Sequence, residues 1–178
     1  RAVSERLSAI ERRLDELEEL RRLGDADLSA PTDELTEPIE RYDAAVREAF
    51  DDYAHDEPVR ELLELVERTR LYPLIDYQRP PDDLLEYVRH HPAGAEPLPT
   101  LLSYAEYSGS KLSHYVEDPT AFETTVPVHR TYLDRIDGEP LTVGSPPPAD
   151  ELRYLAAELV SVVARFADEE TVALARGL

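Results

Sequence analysis

The chain is predicted to be all-α, on three observations. Apolar residues recur at spacings of three and four along several segments. No stretch alternates apolar and polar residues as a half-buried strand would. The 15 prolines and six glycines fall mostly between the periodic segments, where they punctuate helix ends. The 178 residues are enough to bury a sizeable core. The expected architecture is an N-terminal coiled coil or antiparallel helical hairpin over residues 1–56, followed by a compact helical bundle over residues 57–178.

Residues 1–23 read "RAVSERLSAIERRLDELEELRRL". Val3, Leu7, Ile10, Leu14 and Leu17 form a heptad seam, with Leu7 and Leu14 at a, and Val3, Ile10 and Leu17 at d. Arg6 and Arg13 then fall at g, and Glu11 and Glu18 at e. A parallel, in-register homodimer would match Arg6 with the second copy's Glu11, and Arg13 with its Glu18. An antiparallel self-pair would oppose like charges. The same seam also suits a fold-back onto the next helix as a hairpin, because a short helix is marginal alone. Gly24 is placed to cap the helix C-terminus.

"GDADLSAPTDEL" (24–35) is expected to be a loop. A second helix follows from Thr36, as N-cap, to His55, with Pro38 in its first turn and a stripe of Ile39, Tyr42, Val46, Ala49 or Phe50, and Tyr53. Pro58 opens a third helix that Pro73 ends. Tyr72–Pro81 is an irregular aromatic connector, and "DDLLEYVRHH" is a short helix between Pro81 and Pro92. After the turn-rich "AGAEPLP" a helix is expected from Thr100 to about Glu117. "PTAFETTVPVHRTYLDRID" is one helix kinked at Pro127 or two short ones. "GEPLTVGSPPPAD" is the longest Pro/Gly loop. The last clear helix starts near Ala149 and carries Leu152, Leu155, Leu159, Val163 and Phe166 on one face. Asp168–Leu178 continues it or forms one more short helix.

Composition limits the function classes. Net charge is -20, from 39 acidic and 19 basic residues, and Lys111 is the only lysine. Such acidity with almost no lysine suggests adaptation to molar salt, where a Debye length of about 3 Å suppresses self-repulsion. Residues 1–23 hold six Arg and six acidic residues, so the whole -20 lies in residues 24–178, with 13 basic against 33 acidic residues. Cysteine is absent, which excludes disulfides, thiolate catalysis and zinc–thiolate sites. With no signal peptide and no apolar run near the roughly 20 residues of a membrane span, a cytoplasmic location is expected. The chain opens at Arg1 and contains no methionine, so a longer parent polypeptide is expected.

"YSGSK" (107–111) fits two catalytic patterns, the Y-x-x-x-K pair of short-chain dehydrogenases and the S-x-x-K pair of penicillin-recognising enzymes. The first needs strands and a Gly-rich dinucleotide turn. The second needs a K-T-G strand, impossible with a single lysine. What survives is a bare serine–lysine dyad, which would require a desolvated Lys111. A simpler reading lays Lys111 across tyrosine rings, since Tyr107, Lys111 and Tyr115 would share one helical face with Tyr104 and His114 beside them. No histidine follows a glutamate at the spacing of a di-iron bundle, and H-E-x-x-H is absent. No metal, cofactor or catalytic residue is therefore assigned. His90 and His91 are expected at a helix end. Arg130 and Arg135, with Tyr132, could meet an anionic ligand or pair with nearby carboxylates.

"HPAGAEPLPTLLSYAEYSGSKLSHYVEDP" (His91–Pro119) and "EPLTVGSPPPADELRYLAAELVSVVARFADEETVALAR" (Glu139–Arg176) resemble the C-terminal half of an uncharacterised family of haloarchaeal coiled-coil proteins. The resemblance implies a helical, salt-adapted protein and carries no activity, cofactor or catalytic residue with it. The expected function is a non-enzymatic helical scaffold or protein-interaction module whose partner is a second copy or another protein. One alternative is a small-molecule or metal-dependent enzyme, with a site at Tyr104, Tyr107, Lys111, His114, Tyr115, His129 and Arg130. Another is a DNA-associated coiled-coil protein.

Overall fold

The computed structural model describes the backbone of residues 2–28 and 32–178, and the side chains of residues 3–22 and 34–178. The described residues are helical with irregular connections; one isolated bridge, Pro58 to Pro97, is the sole extended pairing among them. The all-α class is therefore correct.

Helix α1 spans Ala2–Leu28. It runs through Gly24 rather than stopping there, although glycine costs about 1 kcal/mol in a helix interior. The expected loop over 24–35 is thereby shortened, and its centre, residues 29–31, lies outside the described residues. A single 3-10 turn at Thr32–Leu35 leads into α2, Thr36–Asp56. Because that turn already sets Leu35 in helical geometry, Leu35 is the N-cap and Thr36 is the first helical residue, with no side-chain cap.

Helix α2 is the spine of the folded body. Ile39, Tyr42, Val46 and Phe50 are buried at the expected spacing. They share one core with α3 (Val59–Arg68), α4 (Asp82–His90) and α5 (Leu98–Tyr104). The core is thus shared across the expected division at residues 56 and 57. Prolines set the helix starts: Pro58, Pro81 and Pro97 are the N-caps of α3, α4 and α5. They lack an N–H that a helix start would leave unsatisfied. The Val59 N–H donates to Glu96 O at 2.8 Å, tying the starts of α3 and α5 together.

The end of α4 is fixed by two devices. Arg60 on α3 donates from Nε to Val88 O (2.8 Å) and from Nη2 to His91 O (3.0 Å), which satisfies carbonyls at the helix C-terminus. Gly94 then passes so close to α4 that a Cβ there would stand 1.9 Å from Val88 O. His90 is the last residue of α4 and His91 its C-cap, as expected.

The expected single helix from Thr100 to Glu117 is not formed. Helix α5 ends at Tyr104, and α6 is one turn, Gly109–Leu112, capped by an extended Ser108. Tyr-Ser-Gly-Ser contains no strong helix former. The chain tightens instead, with the Glu106 and Tyr107 N–H groups donating to Ser103 O and Tyr104 O. The break lets Leu101 and Leu112 both reach the core.

The next segment forms two helices, α7 (Pro119–Thr125) and α8 (Arg130–Asp134), separated by a 3-10 turn at Pro127–His129. Helix α9 spans Ala149–Val163 and buries Leu152, Leu159 and Val163, with Pro148 at its N-cap. The chain then turns, so Phe166 lies beyond α9. It meets Phe50 edge-on at 5.8 Å and Tyr53 at 5.5 Å. Asp168 caps the separate helix α10 (Glu169–Arg176), accepting the Thr171 N–H at 2.9 Å. Helix α10 packs on both α9 and α2.

Candidate functional site

The most unusual surface is α1. Every side chain from Val3 to Arg22 is exposed. The five seam residues Val3, Leu7, Ile10, Leu14 and Leu17 are 54–72 % exposed. A fold-back onto α2 would have covered one face of α1; α2 instead buries its stripe within the body. Leu20, at a g position, is 64 % exposed and widens the apolar stripe at its C-terminal end. Arg6, Arg13, Glu11 and Glu18 flank the seam and are exposed. Single exposed leucines are ordinary, whereas a contiguous apolar stripe on one face marks a contact surface.

The residues around Lys111 do gather, by a route other than the expected one. Tyr104 closes α5, Tyr107 lies in the break and Tyr115 follows α6. Their ring centroids stand 5.7 Å (104–107), 5.5 Å (104–115) and 5.3 Å (107–115) apart. Lys111 lies across the Tyr107 ring, with Nζ 3.9 Å from its centroid. Burial, reinforced by Glu96 and the two neighbouring phenols, raises the Tyr104 hydroxyl above the usual tyrosine value. Lys111 is exposed, so it lacks the desolvation that a serine–lysine dyad requires. Ser108 Oγ lies 3.5 Å from Ser110 Oγ.

The other expected site residues point elsewhere. His114 is exposed in the turn after α6. His129 Nε2 contacts both carboxylate oxygens of Asp83, at 2.9 and 2.8 Å, joining the α7–α8 turn to α4. This pair holds the Asp83 carboxyl below its usual value, helped by backbone N–H groups at the helix start. Arg130 pairs with Glu106 at 2.9 Å and Asp134 at 3.7 Å, as expected for an arginine in an acidic chain. Tyr132 donates to Gln78 O at 3.0 Å. These contacts fasten connectors to helices and leave Lys111, His129 and Arg130 with separate partners.

Two features escaped sequence reasoning. The Tyr87 hydroxyl is buried without a hydrogen-bond partner among the described residues. Its ring stacks on His91 at 4.3 Å, and burial together with Asp118 pushes the hydroxyl up to about 12. An open groove also lies where the proline-rich loop meets α9, lined by Pro73, Leu74, Pro147, Tyr154 and Leu155 together with the acidic Glu151 and Glu158. Both depend on tertiary packing and have no local sequence signal.

Fold and surface together define an all-helical, strongly acidic protein that projects an amphipathic N-terminal helix with an uncovered apolar stripe. The chain belongs to the family described as "Domain of unknown function (DUF7118)", which matches residues 1–178. No curated protein and no solved structure matches the chain.

Proposed function

We propose that this protein is a non-enzymatic, salt-adapted helical scaffold that associates with itself through α1. The observation that carries the reading is the uncovered seam, five apolar residues on one helical face. Burying a Val, Leu or Ile contributes about 1.5–3 kcal/mol, so the seam offers at most on the order of 10 kcal/mol per helix. Association costs about 4–15 kcal/mol in lost freedom. Two seams together exceed that cost, so pairing through α1 is favourable on this count. The charge of -20 and the single lysine support a working environment of molar salt, in a cytoplasm of that composition.

Sedimentation in molar KCl tests this reading. The full chain is expected at twice its formula mass, and the chain lacking residues 1–23 at its formula mass. A monomer in both cases contradicts the proposal.

A further inference from the structure

We infer that the two copies lie parallel and in register along α1, and that this alignment makes association salt-gated; the inference rests on the self-association proposed above. The occupant of the seam is a second copy because the flanking charges of α1 complement themselves. In the parallel register each Arg6 meets Glu11 of the second copy, and each Arg13 meets its Glu18. All four side chains are exposed and available. The antiparallel register would set arginine against arginine and glutamate against glutamate.

Parallel alignment has an electrostatic consequence. Helix α1 is neutral over residues 1–23, whereas residues 24–178 carry the entire -20. Parallel pairing brings two such acidic bodies to the same end of the pair. Antiparallel pairing would set them at opposite ends of a 27-residue helix, about 40 Å apart. The Debye length is about 10 Å at 0.1 M salt and about 3 Å at 1 M. Bodies 40 Å apart are screened from each other at either concentration, so only the parallel form gains from added salt. The interhelical Arg–Glu pairs act in the opposite sense and weaken with salt, but they number few charges against the two bodies' twenty each.

Acidic residues that follow α1 closely in sequence contribute to this repulsion. Glu34, Glu37 and Glu40 lie in the turn before α2 and in its first turns, and all three are exposed.

Sedimentation equilibrium of the full chain from about 0.1 to 1 M KCl, with helicity followed in parallel so that only folded chain is compared, tests the inference. Association is expected to tighten as salt rises. A triple variant, Glu34→Gln, Glu37→Gln and Glu40→Gln, is expected to associate about tenfold more tightly at the low end. Its salt dependence should be flatter, which separates charge screening from a general salting-out effect. Association that weakens with salt, or that responds identically in the triple variant, overturns the inference and leaves self-association standing. No association at any salt concentration overturns both.

Discussion

Asp43 holds Gly144 across 101 residues of chain. Its two carboxylate oxygens accept the N–H groups of Val143 at 2.7 Å and Gly144 at 2.9 Å. Beside it, Tyr42 donates its hydroxyl to Leu141 O at 2.8 Å. Two consecutive α2 residues thus clamp the loop that leads to α9. Gly144 adopts φ +72° there, a conformation that disfavours side chains.

Replacing Asp43 by alanine leaves both N–H groups without a protein acceptor. Hydrogen bonds to a charged group contribute about 1.5–3 kcal/mol each, so Asp43→Ala is expected to lower stability by about 3 kcal/mol in urea unfolding. Asp43→Asn keeps one acceptor and should lose less. An alanine variant as stable as the parent refutes the clamp.

Lys111 over Tyr107 is a packing contact. Exposed cation–π contacts contribute about 0.5–1 kcal/mol. Lys111→Ala should lose that much, and Lys111→Arg should recover most of it. Loss of association in Lys111→Ala, with stability unchanged, would instead assign the lysine to the interface.

Acid sensitivity follows from the Arg89–Glu64 pair, which joins α4 to α3 by two contacts. The Arg89 guanidinium holds the Glu64 carboxyl below its usual value. A depressed carboxylate stabilises the fold above its unfolded-state pKa of about 4.3. That contribution is lost as pH falls through the lower folded-state value. Arg89→Leu should therefore remove stability present at neutral pH and move the acid-unfolding midpoint to higher pH. The measurement is ellipticity against pH in molar KCl; an unmoved midpoint contradicts the pairing.

Self-repulsion predicts that the fold itself loosens below about 0.5 M salt, where screening weakens. Helical ellipticity on desalting checks this. An unchanged signal contradicts the salt-adaptation argument.

The sequence revealed most of the helices, because their ends are set locally. Pro58, Pro81 and Pro148 each stand at an N-cap, whereas α5 starts at Leu98 after Pro97 rather than at the expected Thr100; the α2 stripe from Ile39 to Phe50 followed from spacing alone. The break between Tyr104 and Ser108 was not legible. Apolar spacing continues through it and masks the weak helix formers of Tyr-Ser-Gly-Ser, and the break lets Leu101 and Leu112 reach the core from separate turns. Gly24 misled for the converse reason: a glycine permits a helix end but does not impose one. The Asp43–Gly144 clamp joins residues 101 apart, beyond any local pattern. Sequence reasoning grouped Lys111 with His129 and Arg130 by composition, whereas packing gave each its own partner. It also left α1 open between a hairpin and a self-pair, since the seam pattern is common to both. In the fold the seam is exposed and is not laid back on α2, which leaves self-pairing as the proposal to be tested.

The central claim, parallel pairing through α1, is tested most directly by one cysteine in a chain that has none. Leu17 is at d, near the end of the seam. In a parallel register Leu17→Cys faces its own copy closely enough to bridge, within about 7 Å between Cα atoms. In an antiparallel register, where a packs against d, it faces Leu7 instead. Mild oxidation of full-length Leu17→Cys in molar KCl is expected to yield a disulfide-linked dimer on a denaturing gel. A chain that sediments as a dimer yet forms no such link would contradict the parallel register.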